Sequence, residues 1–141
     1  VGENRVIQTC VVPEVFREVL LEHNCGLLLD ISHARIAADA LGMDAKEFIM
    51  ALPMEHLREL HFTGLHDLGG GHLMDHLPVL DDDWPWLEWV LEGIANRGWR
   101  RPHMLAFEYG GEGNSFFESN SDIETIARDV PLLYSMCHRK E

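Results

Sequence analysis

At 141 residues, 46% of them hydrophobic, the chain can bury one ordinary core, so residues 1–141 are expected to form a single domain or part of one. Eleven Lys+Arg against 24 Asp+Glu give a formal charge of −13; that much negative charge repels phosphate backbones and argues against nucleic acid as a partner. No run approaches a membrane span and no signal-peptide pattern opens the sequence, so no membrane association is expected.

In chain order, Pro13 suits the first turn of a helix whose apolar stripe is Val15, Phe16, Val19 and Leu20. Gly26 follows its end, and a short strand, Leu27–Leu29, leads to Asp30. A second helix spans Ala34 to Leu41 and stops at Gly42. A third starts at Asp44 with Glu47 in a capping-box spacing and ends at Pro53. The strand Leu60–Thr63 carries His61. It opens into a Gly-rich stretch, Gly64 to Asp81, read as a long functional loop. The next helix follows Asp81-Asp82-Asp83, with Pro85 in its first turn and Trp86, Leu87, Trp89, Val90, Leu91 and Ile94 on its buried side. Its tryptophans are read as packing rather than as a sugar platform. Arg97, Arg100 and Arg101 at its end are read as structural. A third strand, Met104–Phe107, ends at Glu108. Ser121 with Glu124 caps a last helix, which Pro131 is expected to kink or break.

Cys10, Cys25 and Cys137 are odd in number and form no CxxC pair, so reduced thiols and a cytoplasmic location are expected, with Cys25 a small core residue. Because the sequence opens on Val1 rather than Met, a fragment or processed product is expected.

Short apolar runs alternating with helical patterns indicate an α/β fold of parallel βα units. The residues Asp30, His61 and Glu108 recur at intervals fitting βαβ units of about 30 residues or more. So few strands cannot close a barrel of typically about 250 residues. The pattern leaves two architectures, a small open sheet or half of a barrel.

The carboxyl ends of parallel strands line the functional site in such folds. Taken singly, Asp30 could cap the following helix and His61 could be a satisfied core histidine. Glu108 is harder to dismiss, because an unpaired carboxylate in an apolar run is costly. Asp75-His76, held between Met74 and Leu77-Pro78-Val79, is also poorly explained as surface. His66 and His72 are expected as solvated loop residues, and His23, His56, His103 and His138 at the surface or helix ends. Tyr109 is expected to make a structural hydrogen bond. Imidazoles and carboxylates converging without a thiolate form a ligand set for zinc, manganese or iron.

Glu3-Asn4, Leu27-Leu28-Leu29-Asp30-Ile31-Ser32-His33, Leu60-His61-Phe62-Thr63-Gly64, Met74-Asp75-His76-Leu77-Pro78-Val79 and Ala106-Phe107-Glu108 follow one another in a known order. The chain resembles the C-terminal half of the multinuclear iron-dependent oxidase-like family, which includes the methanobactin-oxazolone-forming enzyme. That resemblance implies the C-terminal half of a TIM (β/α)8 barrel of the xylose-isomerase-like type. It also implies metal ligands at Glu3, Asp30, His33, His61, Asp75, His76 and Glu108. His33 stands where many members have Asn, and Asp75-His76 is one residue shorter than the family's Asp-x-His. Members also take ligands from earlier strands that have no counterpart in this sequence.

The resemblance further implies two or three iron ions, with manganese or zinc as the alternative, and oxidation of a cysteine-containing peptide brought by a partner protein. A divalent-metal sugar isomerase or epimerase is the runner-up, separable by the absence of oxygen consumption. A DNA-cleaving relative is opposed by the acidic surface. A non-catalytic, truncated relative acting in assembly is the third reading. An open half barrel exposes sheet edges and an apolar face, so homo-oligomerisation or poor solution behaviour is expected.

Overall fold

The computed structural model describes residues 12–110 and 122–138. Helix α1 (Pro13–His23) starts on its proline and stops at Asn24, which takes the left-handed conformation. Only part of its expected stripe is covered: Leu20 is buried and Phe16 packs on the core, whereas Val15 and Val19 remain exposed. Cys25, expected in the core, is exposed.

Strand β1 (Leu27–Asp30) runs straight into α2 (Ile31–Leu41). This helix begins earlier than Ala34 because Asp30 is its N-cap, one carboxylate oxygen accepting the His33 backbone N–H at 2.9 Å. Asp44 caps α3 (Ala45–Ala51) by accepting from Lys46 and Glu47. A single 3-10 turn, Met54–His56, leads into β2 (Leu57–Phe62), which starts ahead of the expected Leu60.

The Gly-rich stretch is not a plain loop. It folds as an antiparallel hairpin of β3 (Gly64–Asp67) and β4 (Leu73–Leu77). Gly69, Gly70 and Gly71 all have positive φ at its tip, which lets so short a reversal close.

Helix α4 (Trp84–Asn96) buries Leu87 and Val90 and lays Trp84, Trp86 and Trp89 against the core. Arg97 stacks over Trp89 and Trp99 at 5.0 and 5.6 Å, so this member of the basic cluster has a packing role. After β5 (Met104–Phe107), α5 (Ile123–Cys137) is capped by Asp122 rather than Ser121, its carboxylate accepting from Glu124 and Thr125. The helix runs through Pro131 unbroken. It is anchored on both sides of the proline: buried Asp129 accepts the Val79 backbone N–H at 3.2 Å, and Leu133 joins the core.

Strands β1, β2 and β5 form one parallel sheet in the order β1-β2-β5. Each new strand is added beside the last, without the reversal of order that marks a doubly wound sheet. These are βα units of a TIM-barrel-like domain, with the hairpin inserted between β2 and α4. Side chains alternate between sheet faces. Leu27, Leu29, Leu60 and Phe62, with Leu105 and Phe107 packed beside them, face the helices and form the core. The opposite face carries Leu28, Asp30, Glu59, His61, Met104 and Glu108, and both Leu28 and Met104 are exposed there.

Candidate metal centre

Register brings the strand-end residues together. Asp30 pairs with His61, and His61 with Ala106. Glu108 lies two residues past Ala106, hence on the same face, and its backbone N–H still bonds to Phe62 O at 3.2 Å. Ligand atoms of Asp30, His61 and Glu108 all lie within 4.8 Å of one another.

The hairpin supplies a second group. His33, Asp75 and His76 also offer ligand atoms within 4.8 Å of each other. His76 sits in the left-handed conformation at φ 61°, uncommon for a residue with a side chain. Two bonds hold it there: its carbonyl accepts the Gly110 N–H at 2.9 Å, and its Nδ1 donates to Glu108 O at 2.8 Å. A carbonyl can only accept, so Nδ1 carries a proton, and Nε2 is the ring nitrogen turned toward Asp75, 3.5 Å from its Oδ2. Further bonds tie the walls together. Ser32 Oγ donates to Thr63 O at 3.1 Å and Thr63 Oγ1 donates to Leu77 O at 3.3 Å, joining α2, the end of β2 and the hairpin.

His33 links the two groups. Its Nδ1 lies 3.2 Å from Asp30 Oδ2 and its Nε2 lies 2.7 Å from Asp75 Oδ2. Yet neither oxygen, though buried, receives a hydrogen bond of acceptable geometry from the described residues. Buried carboxylate oxygens without a well-formed hydrogen bond are costly, and a cation placed among these nitrogens and oxygens would satisfy them. No Lys or Arg ion-pairs with Asp30, Glu59, Asp75 or Glu108 among the described residues; their ion-pair partners are imidazoles. The donor set of nitrogen and oxygen atoms, with the orphaned oxygens, fits a divalent metal.

The same contacts set the electrostatics. The Asp30 carboxylate beside the ring drives the His33 pKa up to about 9, against the opposing effect of burial and with help from Asp75 and Glu108. Burial would raise Asp30, but the His33 ring and backbone N–H overcome it and hold the carboxyl at about 2. Burial would lower His61, yet its bonds to Glu59 and Glu108 raise it.

Six of the seven residues nominated from sequence therefore meet at one end of the sheet; Glu3 lies outside the described residues. Asp30 both caps α2 and faces the site, one oxygen for each task. His72 is exposed as expected, but His66 is bound, its Nε2 donating to Pro78 O at 2.7 Å. The Tyr109 hydroxyl does not make the expected bond: it is buried with no partner among the described residues, while its ring stacks on Phe107. Sequence reasoning missed Glu59, whose Oε1 lies 2.7 Å from His61 Nε2. The available signal was the i, i+2 spacing of Glu59 and His61, which puts both on one strand face. An apolar cavity of about 250 Å³ between α1, β1, α2 and α3 reaches Asp30 and His33. The larger space, about 770 Å³ between α4, β5 and α5, touches none of the six.

Residues 8–105 match the family model described as RiPP precursor modification enzyme MbnB/TglH/ChrH. A UPF0276 protein of Pseudomonas aeruginosa is 36% identical over 95 residues, 66% of this chain and 32% of its own length. A UPF0276 protein of Caulobacter sp. is 30% identical over 84 residues, covering 57% of this chain and 30% of its own. One from Acinetobacter baylyi is 37% identical over 62 residues, 44% of this chain and 22% of its own. The chain thus spans about a third or less of the length of the curated relatives it matches. With the matched segment covering most of the chain, the chain belongs to the MbnB/TglH/ChrH family of RiPP precursor modification enzymes.

Proposed function

We propose that this chain carries part of the metal centre of an enzyme that oxidises a cysteine-containing precursor peptide. The observation that carries the reading is the convergence of Asp30, His61 and Glu108 with His33, Asp75 and His76 at the carboxyl ends of parallel strands. Each group would hold one ion, and Glu3 is a further candidate ligand. Iron, two or three ions in the complete site, is the metal we favour; manganese or zinc would suit the same donors. When bound, the metal supplies redox and Lewis-acid chemistry.

The chain's own residues do the rest. Asp30 and Glu108 bring negative charge to the strand ends, and the His76–Glu108 bond fixes which imidazole nitrogen faces the site. The hairpin places Asp75 and His76 over the open end of β2, where it would also limit the approach of a peptide. A partner protein presenting the peptide, and a cytoplasmic setting with reduced thiols, complete the proposal. Among the described residues no helix is long and apolar enough to cross a membrane, and Cys25 and Cys137 are free thiols. The tryptophans that would favour a sugar substrate are committed to packing.

Iron-loaded protein mixed with a cysteine-containing precursor peptide under air tests the reading. Oxygen consumption coupled to a change in peptide mass is expected. Isomerisation of a sugar without oxygen uptake would replace this reading with the isomerase one.

A further inference from the structure

His61 is held at both ring nitrogens by carboxylates. Nδ1 lies 2.9 Å from Glu108 Oε2 and Nε2 lies 2.7 Å from Glu59 Oε1. The two carboxylates differ in place. Glu108 belongs with Asp30 and His61 in the cluster of converging ligand atoms, and Glu59 does not. Glu59 stands two residues earlier on β2, on the same face, one step away from the strand ends where the other ligands gather. An imidazole that binds a metal through one nitrogen keeps its proton on the other and commonly donates it to a carboxylate, which sets tautomer and ring angle.

We propose that Glu59 is a positioning residue: it accepts the Nε2–H of His61 and so turns the Nδ1 lone pair toward the ion shared with Asp30 and Glu108. This rests on the metal-centre reading above. Glu59 itself does not ligate. The geometry separates His61 from His76, whose proton is fixed on Nδ1 by a backbone carbonyl, so that the two histidines present opposite ring nitrogens. A carbonyl cannot be changed by side-chain substitution, whereas a carboxylate can, which makes His61 the histidine whose orientation is open to test.

Zinc, being diamagnetic, allows the test by long-range proton–nitrogen correlation of histidine rings, together with zinc affinity by chelator competition. Wild type is expected to show the metal on His61 Nδ1 and a slowly exchanging proton on Nε2. Glu59→Met, which keeps the length but removes the acceptor, should weaken zinc binding by about 10- to 100-fold and speed exchange of the Nε2 proton. Glu59→Gln, which still offers an acceptor oxygen, should recover much of that loss. Zinc on Nε2 of His61, or equal affinity in wild type and Glu59→Met, would overturn the proposal while leaving the metal centre in place. Absence of zinc and of iron from wild type would instead overturn the metal-centre reading beneath it.

Discussion

In the metal-free chain the His33 ring sits between Asp30 at 3.2 Å and Asp75 at 2.7 Å, and it stays protonated to about pH 9. A cation entering there must displace that proton, so metal uptake near pH 7 should release about one proton from His33. Titration calorimetry in buffers of different ionisation enthalpy measures the release, and affinity should climb as pH rises toward 9. Stability of the metal-free chain runs the other way. The contribution from His33 is complete below its ordinary value of 6.5 and disappears as pH rises through about 9. That from Asp30 is complete above 3.8 and disappears as pH falls through about 2. Thermal melts of wild type and His33→Ala should therefore differ most between about pH 4 and 6.5 and converge above pH 9. The difference will be modest, because the His33 side chain is 57% exposed and solvent screens the pair. Asp30, His61 and Glu108 were legible as candidates because each is a metal-grade side chain in or at the end of an apolar run, and Asp75-His76 because its segment is too apolar for surface, whereas His33 came with the family resemblance. Glu59 was not legible, because the strand was expected to start at Leu60, which left its i, i+2 relation to His61 outside any element.

At the scale of elements, apolar runs located β1, β2 and β5, and first-turn prolines, caps and helical stripes located the helices to within a few residues, since burial and helix starts each leave a local mark. The hairpin left no such mark. Its strands expose Asp67 and Met74, and its tip is three glycines, so neither alternation nor an apolar face shows. What holds it in place is a close approach, with Gly64 packed against the Pro78 carbonyl so tightly that a Cβ would overlap it. Gly64→Ala should therefore cost about 1–3 kcal/mol by displacing the hairpin. It should also weaken metal binding at His33, Asp75 and His76 more than at Asp30, His61 and Glu108. Denaturant melts and metal titrations of the variant measure the two effects separately. Equal loss at both groups would mean that the hairpin does not carry its group independently of the sheet.

The whole molecule combines a well-packed helix-covered sheet face with an opposite face that carries the candidate ligands and leaves Leu28 and Met104 exposed at 48% and 52%. Among the described residues both β1 and β5 are edges of the three-stranded sheet. Exposed apolar surface beside unpaired strand edges favours association, so the isolated chain should self-associate in light scattering, and Met104→Glu should reduce this. A stable monomer at moderate concentration would count against it. The charge of −13 is less surprising if cations neutralise the ligand face. The central claim is that this face is a metal centre. Elemental analysis after anaerobic iron loading, on wild type and Glu108→Ala, tests it most directly. More than one iron per wild-type chain, with a clear loss in the variant, is the predicted result. No bound iron, manganese or zinc in either protein would contradict it.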